Sequence, residues 1–213
     1  MVERILPAPT VIVTADDYLQ NYAHAYYEWV EGVLVELSPI HTRHDNLSIF
    51  LRNLFDSYNL HFHTIGVIKN APFVMELDAL NVKREPDLQV ILPANMVNFT
   101  PTSMHGPADI CVEIVSSESV KRDHGEKFFE YEAGGVGEYW IVDPLRDEGR
   151  FYRRNAEGRF IPQSPDADGN YRTPLLPGFV LHVPSLWQEN LPNMLDTLAM
   201  VQKMVDASDK DNA

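Results

Sequence analysis

The chain has 213 residues, of which 45% are hydrophobic and 23% are charged. This length and composition suit one globular α/β domain with a sizeable core. The formal net charge of −14 argues against a protein that binds nucleic acid through a broadly basic surface. The single cysteine, Cys111, lies in an apolar run and excludes a disulfide framework or a cysteine-based zinc site. The charged N-terminus and the lack of a long apolar run lead us to expect a cytoplasmic protein.

The first third of the chain predicts a short helix, a hairpin and a long helix. Thr14 is placed to cap a helix that begins at Ala15, with Asp17 at its third position. Alternating polarity on both sides of Glu31-Gly32 predicts a β-hairpin over residues 26–37, which ends before Pro39. Between His44 and Leu60 the apolar residues recur at three- and four-residue spacing, which predicts an amphipathic helix.

The middle of the chain is typical of a mixed sheet with a helix on its face. Strands are predicted at residues 65–68, 71–75, 87–92, 108–115 and 138–144, and a hairpin at 149–160. A helix is predicted from Arg122 to Ala133, with Gly134-Gly135 at its end. Residues 93–107 and 163–178 are rich in turn-forming residues and are predicted to be loops. The expected architecture is therefore α/β, a mixed sheet flanked by helices.

The C-terminal segment predicts an amphipathic helix from Trp187 to Val205, although Pro192 interrupts its first turn. Its apolar stripe is expected to dock on the body of the protein or on a second copy; the stripe comprises Leu191, Met194, Leu195, Leu198, Val201 and Val205. We therefore expect one domain over residues 1–186, followed by a helix and frayed tail over 187–213.

Two predicted strands that are otherwise apolar each carry one carboxylate, Asp87 and Glu113. A buried carboxylate is unfavourable unless it is paired or bound to a metal ion. Alternation places each of them on one face of its strand, so they converge if the two strands are neighbours. Mg²⁺ prefers such oxygen ligands. The alternatives are a turn role for Asp87 after Pro86 and a buried ion pair for Glu113.

Lysine and histidine residues near these carboxylates have two interpretations each. Lys127 either stabilises developing charge at the site or forms a helix-surface pair with Asp123, four residues earlier. His44 is either a site residue or a polar residue at a helix N-terminus. The spacing of His41 and His44, or of His61 and His63, is only weak evidence for zinc, because neither pair has a second ligand cluster.

Other reaction classes lack their motifs. The sequence has no phosphate-binding glycine loop of the P-loop kind, no dinucleotide-binding G-x-G-x-x-G and no G-x-S-x-G nucleophile element. Local basic groups could contact DNA or could be ordinary solvated charges; they are Lys83-Arg84, Lys121-Arg122, Arg150, Arg153, Arg154 and Arg159.

Six motifs along residues 15–185 together resemble the bacterial putative restriction endonuclease family of the PD-(D/E)XK nuclease superfamily. They are Tyr27-Glu28-Trp29-Val30-Glu31-Gly32, Ser38-Pro39 with His44, Glu85-Pro86-Asp87-Leu88, Val112-Glu113-Ile114-Val115-Ser116, Arg122-Asp123-His124-Gly125-Glu126-Lys127 and Glu138-Tyr139-Trp140-Ile141-Val142-Asp143-Pro144. The resemblance implies a restriction endonuclease-like core and metal-dependent cleavage of DNA. It also implies that Asp87 and Glu113 are the two acidic residues of the superfamily.

The chain departs from the superfamily pattern at one position. The superfamily lysine should stand two residues after Glu113, where this sequence has Val115. Either Lys127 supplies the missing amine, or the site is weak or inactive.

From the sequence we therefore predict a Mg²⁺- or Mn²⁺-dependent DNA endonuclease. Asp87 and Glu113 are its expected metal ligands and Lys127 is its expected third catalytic residue. A homodimer is expected from the apolar C-terminal helix and the need to cut two strands. Two alternatives stay open, namely a degenerate nuclease fold that acts as a nucleic-acid-binding or assembly module, and a hydrolase of small phosphate esters.

Overall fold

The structure, a computed structural model, describes residues 12–23, 25–37 and 41–211. The predicted end of the hairpin before Pro39 lies outside these residues. The helices are α1 (Ala15–Asn21), α2 (Thr42–Phe62), α3 (Lys127–Gly134) and α4 (Met194–Asp211). The strands are β1 (Tyr27–Val30), β2 (Val33–Glu36), β3 (Val67–Asn70), β4 (Val74–Leu77), β5 (Val82–Arg84), β6 (Leu88–Ile91), β7 (Ser103–His105), β8 (Ile110–Ile114), β9 (Glu138–Asp143), β10 (Glu148–Arg154), β11 (Phe160–Gln163), β12 (Asn170–Tyr171) and β13 (Leu181–His182).

A six-stranded mixed sheet in the order β11-β10-β9-β8-β6-β3 forms the centre of the fold. Strands β8 and β9 are parallel and are connected through α3, whereas the other neighbours are antiparallel. One face of this sheet carries a large apolar core shared with α2 and α4, in which Trp140 packs between Phe55, Phe151 and Tyr171. Burial of these aromatic rings supplies a large share of the hydrophobic stabilisation.

A second, five-stranded sheet has the order β2-β1-β5-β4-β7. Its residues Met75, Leu77 and Val82 pack with Tyr131 of α3 and with the other face of the central sheet, at Cys111 and nearby side chains. The N-terminal hairpin joins this sheet because β1 pairs with β5. The hairpin is therefore part of the body of the fold.

Most predicted elements are present, and the mixed α/β class is confirmed. Thr14 caps α1 by accepting a hydrogen bond from the Asp17 backbone N–H at 3.1 Å. The hairpin turns at Glu31-Gly32, and α2 extends the predicted helix by two residues at each end. Among the described residues, no helix is long and apolar enough to cross a membrane.

The predicted loops contain structure that the sequence did not indicate. Within 93–107 lie a 3₁₀-helix, Pro93–Asn98, and strand β7, and within 163–178 lies strand β12. Strand β5 was also missed. These strands have only two or three residues, so polarity alternation cannot be recognised in them. The predicted helix from Arg122 begins with a π-helical turn, Arg122–Glu126, before α3 continues it.

The predicted C-terminal helix begins later than expected, and its apolar stripe docks on the body only in part. A 3₁₀-helix covers Val183–Trp187, and α4 begins only at Met194, after Pro192. Three members of the predicted stripe are exposed, namely Met194, Leu195 and Leu198. The buried side chains are Thr197, Val201 and Met204, and the last two belong to the core shared with α2. The domain division at residue 186 stays a prediction.

This register of α4 predicts unequal effects of two similar truncations. Met204→Ala should lower the free energy of unfolding by about 2–3 kcal/mol, because it leaves a cavity in the core. Lys203→Ala, at an exposed position of the same helix, should change it by less than about 0.5 kcal/mol. Urea unfolding of both variants measures the difference, and equal losses would contradict the register.

Candidate active site

A pocket with a volume of about 140 Å³ lies where β6 and β8 meet the start of α2 and the π-helical turn. Ionisable side chains line much of it, from the sheet, from α2 and from the π-helical turn. They are His41, His44, Glu85, Asp87, Glu113, Arg122, Asp123 and Lys127. All the sequence-predicted site residues, Asp87, Glu113, Lys127 and His44, are thus brought to one pocket.

Asp87 stands immediately before β6, directly across the sheet from Glu113. The antiparallel register pairs Leu88 with Val112, and one further step puts Asp87 opposite Glu113. Side chains at directly opposed positions lie on the same face and are close neighbours. The Oδ2 atom of Asp87 accepts hydrogen bonds from the Ile114 backbone N–H at 2.6 Å and from His44 Nε2 at 3.0 Å. Its Oδ1 atom has no hydrogen-bond partner in the described part of the chain.

Glu113 is almost completely buried and has partners on both oxygens. Its Oε2 lies 2.8 Å from Lys127 Nζ, and its Oε1 accepts a 2.7 Å hydrogen bond from the Tyr131 hydroxyl. Burial raises the pKa of Glu113 to about 8, with Asp87 adding to the rise and Lys127 opposing it. The close contact expected of the buried ion pair considered for Glu113 is present, with Lys127 Nζ 2.8 Å away. Each carboxylate oxygen has more lone pairs than one hydrogen bond uses, so the contacts with Lys127 and Tyr131 still allow Glu113 to bind a metal ion.

Lys127 enters the pocket because the π-helical turn precedes it. The Lys127 N–H bonds to the Arg122 carbonyl, the i-to-i−5 pattern that widens the helix at this point. Such single π-turns are frequent at functional sites. Lys127 is only 3% exposed, so the helix-surface interpretation was wrong, although Asp123 does lie 3.6 Å away. Burial lowers the pKa of Lys127, but three carboxylates outweigh it and raise the pKa above its ordinary value.

Glu28 and Arg84 complete a buried charge network around Lys127. Glu28 on β1 is fully buried, with its Oε1 3.2 Å from Lys127 Nζ and its Oε2 2.8 Å from Arg84 Nη1. Arg84 also makes a two-bond contact with Glu130 of α3. Burial raises the pKa of Glu28, but the cations Lys127, Arg84 and Arg122 dominate and lower it to about 2.

The depressed pKa of Glu28 predicts an acid-dependent loss of stability. Its pKa falls from an ordinary 4.5 to about 2 in the folded protein, so the ionised form stabilises the fold above pH 4.5. That contribution, about 3 kcal/mol, is lost as the pH falls through the folded value. Urea unfolding should show wild type and Glu28→Gln converging in stability between pH 5 and pH 2. A difference that is constant over this range would contradict the prediction.

His44 occupies the first turn of α2 and also contacts the site. Burial lowers the pKa of His44, but the hydrogen bond and charge of Asp87 outweigh it and raise the pKa above its usual range. The ring thus fixes one oxygen of Asp87, whose side chain lines the pocket. His44 therefore lies at the start of a helix and also contacts Asp87, so its two interpretations are compatible.

The donor set of the pocket fits a hard divalent cation. Four carboxyl groups line the pocket, those of Glu85, Asp87, Glu113 and Asp123, beside the basic side chains of Lys127 and Arg122. Mg²⁺ is held by one or two carboxylates and retains several waters. Asp87 and Glu113 could hold the ion, since Asp87 Oδ1 has no hydrogen-bond partner among the described residues and Asp87 and Glu113 both line the pocket.

A second group of possible ligands, Glu76, Asp78 and His105, lies in the five-stranded sheet, with ligand atoms within 4.8 Å of one another. There Lys83 Nζ lies 2.5 Å from Glu76 Oε2 and 2.8 Å from Asp78 Oδ1. The ammonium group already contacts both carboxylates, so a metal ion would have to displace it. Asp87 and Glu113 do not belong to this group.

The sequence model of the Uma2 family, described as putative restriction endonuclease, matches residues 15–184. The chain belongs to this family. A crystal structure of a putative nuclease belonging to DUF820 from Anabaena variabilis ATCC 29413 has a similar fold, with a TM-score of 0.69 and 14% identity. The match covers 82% of this chain and 97% of the other. No curated protein matches the chain.

Membership of the Uma2 family confirms the resemblance seen in the sequence motifs, and the restriction endonuclease-like fold is confirmed with it. The family description supports a nuclease, that is, a hydrolase acting on nucleic acids.

Most of the basic groups considered as DNA contacts in this Uma2 protein have acidic partners. Lys83 and Arg84 are buried in ion pairs, and Arg150, Arg153 and Arg159 pair with Glu148, Glu138 and Glu132. Lys121 is exposed, and Arg122 lines the pocket. The basic residues nearest a bound phosphate would therefore be Arg122 and Lys127.

Sequence reasoning missed Glu28, Arg84 and Tyr131 as neighbours of the site. No local signal marks Arg84 as buried, because Lys83-Arg84-Glu85 is a run of charged residues, which are mostly exposed. A buried arginine requires a carboxylate partner. Nothing local in the sequence indicates that the partner is Glu28, 56 residues earlier.

Proposed function

We propose that this Uma2 protein is a Mg²⁺- or Mn²⁺-dependent endonuclease that hydrolyses phosphodiester bonds in DNA. The observation that carries the proposal is the pocket in which Asp87 and Glu113 face each other across β6 and β8, with Lys127 2.8 Å from Glu113. Two carboxylates and one lysine on adjacent elements form the set that metal-dependent phosphodiester cleavage requires.

The pocket residues have distinct roles in this proposal. Asp87 and Glu113 are the metal ligands, and His44 and the Ile114 N–H hold Asp87 in place through its Oδ2 atom. The metal ion, when bound, activates water and neutralises charge on the phosphate. Lys127 is the third catalytic residue and stabilises negative charge that develops near Glu113. It takes the place of the superfamily lysine that is missing at Val115.

Substrate choice is the less constrained part of the proposal. The net charge of −14 leaves little general attraction for nucleic acid, so the divalent ion, Arg122 and Lys127 would supply the local positive charge. We propose duplex DNA as the substrate because the family is described as restriction endonuclease. A DNA substrate would be met in the cytoplasm.

Cleavage of supercoiled plasmid by purified protein with Mg²⁺, Mn²⁺ or EDTA tests the proposal. Nicking or linearisation that requires the metal ion is expected. Single-stranded DNA, RNA and a small phosphodiester should be run as competitors, since preferential inhibition by the small diester would favour the phosphate-ester alternative. DNA binding without cleavage in any metal would favour the degenerate, binding-module alternative.

We further propose a homodimer, since cutting both strands of a duplex requires two sites or two encounters. The support is a group of exposed apolar side chains on α4, namely Met194, Leu195 and Leu198. Light scattering should give twice the chain mass, and Leu195→Glu should reduce it to one. A single-chain mass for the wild type would reject the dimer.

A further inference from the structure

The N-terminal hairpin contributes a fully buried carboxylate next to the proposed active site. Glu28 lies on β1, in a different sheet from Asp87 and Glu113, and its Oε1 is 3.2 Å from Lys127 Nζ. Lys127 therefore lies between Glu28 and Glu113, whose Oε2 is 2.8 Å away on another side. Both carboxylates are 3% exposed or less.

Glu28 is itself fixed on every side by other groups. Arg84 donates to its Oε2 at 2.8 Å, and the Glu85 backbone N–H donates to its Oε1 at 3.1 Å. Arg84 is in turn held by two hydrogen bonds to Glu130 of α3. The carboxylate of Glu28 thus has one orientation, and that orientation presents Oε1 to Lys127.

A metal ion changes the charge balance around Lys127. When Glu113 serves as a metal ligand, much of its negative charge is shared with the ion, and it compensates Lys127 less well. A buried ammonium group without sufficient counter-charge is strongly unfavourable, so the Lys127 side chain would leave its position. Among the other partners, Asp123 is farther, at 3.6 Å, so Glu28 is the remaining close counter-charge.

We propose that Glu28 is a positioning residue, which holds Lys127 in place and compensates its charge while Glu113 binds the metal ion. The inference rests on the proposed nuclease function and deepens it. It assigns to the hairpin a part in catalysis, although Glu28 contacts neither the metal ligand Asp87 nor a substrate directly.

A double-mutant cycle in single-turnover plasmid cleavage with Mg²⁺ tests whether Glu28 acts through Lys127. Glu28→Gln should lower the rate constant at saturating protein by about 10–100-fold, the range typical of groups that orient a catalytic or metal-binding residue. In the Lys127→Met background the same change should cost less than about twofold, because the interaction is already absent. Glu28→Asp should recover part of the activity.

Glu138→Gln is the matched control. Glu138 is also a fully buried carboxylate paired with an arginine, Arg153, but it lies at the start of β9 and outside the pocket. Its variant should lose stability and keep the cleavage rate of the folded protein. The proposal would be overturned if Glu28→Gln cleaved within about twofold of the wild-type rate. It would also be overturned if Glu28→Gln caused the same loss in the Lys127→Met background as in the wild type.

A spectroscopic readout keeps the test independent of cleavage. The buried Lys127 ammonium group should give a slowly exchanging ¹⁵N resonance, assigned by its loss in Lys127→Met. Glu28→Gln, or Glu28→Asp if the first variant does not fold, should shift or broaden this resonance, and Glu138→Gln should leave it unchanged. An unchanged resonance would overturn the positioning role. Absence of cleavage by wild type would instead reject the nuclease function alone.

Discussion

Glu113→Gln is expected to abolish metal-dependent cleavage, with a loss well above about 100-fold. Groups that only orient a metal ligand already contribute about 10–100-fold, so loss of a ligand itself should cost more. The substituted amide keeps the volume of the side chain and can still accept from Tyr131, but it has no charge to share with a cation. The measurement is the rate of plasmid nicking as a function of Mn²⁺ concentration.

Glu76→Gln is the control for this variant. Glu76 is also buried and also lies next to a lysine, Lys83, within the second group of possible metal ligands. If the proposed site is correct, Glu76→Gln cleaves at the wild-type rate when folded. Loss of activity in Glu76→Gln with retention in Glu113→Gln would move the catalytic metal to the five-stranded sheet.

Lys127→Met should lower the cleavage rate constant by about 10²–10³-fold and leave metal binding intact or stronger. The ammonium group is the cation closest to Glu113, and methionine keeps the length and apolar stem of the side chain. Loss of its positive charge removes stabilisation of developing negative charge, which lowers the cleavage rate. The same loss removes a competitor for the Glu113 oxygens, which favours metal binding. Calorimetric titration with Mn²⁺, run beside the kinetics, separates the two effects.

Lys83→Met provides a comparison at a second buried lysine. Lys83 is 3% exposed and pairs with Glu76 and Asp78, so its loss should destabilise the fold without a direct effect on the pocket. Equal loss of cleavage in the two methionine variants, at equal fractions of folded protein, would reject a catalytic role for Lys127.

The fold was predictable where periodicity extends over many residues. In helix α2 burial follows helical spacing, and the central strands β8 and β9 are buried at every residue, as expected of central strands covered on both faces. Strands β5 and β7 are too short for such a signal and depend on neighbours far along the chain. In α4 the helical period was correct. Apolar residues lie on several sides of this helix, so packing against α2 determines which side is buried.

The carboxylates were predictable because each interrupts an apolar strand, which is a local anomaly. Alternation then gave the face, and only the pairing of β6 with β8 was needed to bring Asp87 opposite Glu113. Glu28 has no such anomaly, since a glutamate in a hairpin is usually exposed. Its burial follows from the pairing of β1 with β5, which also brings in Arg84, and no feature within either segment indicates that pairing.

Anomalous diffraction from a crystal containing Mn²⁺ tests the central claim most directly. The account predicts an Mn²⁺ peak in the pocket, within about 2.0–2.3 Å of oxygens of both Asp87 and Glu113. It also predicts that Lys127 keeps its contact with Glu28 in that structure. An ion bound only at Glu76, Asp78 and His105, with none between Asp87 and Glu113, would contradict the proposed active site.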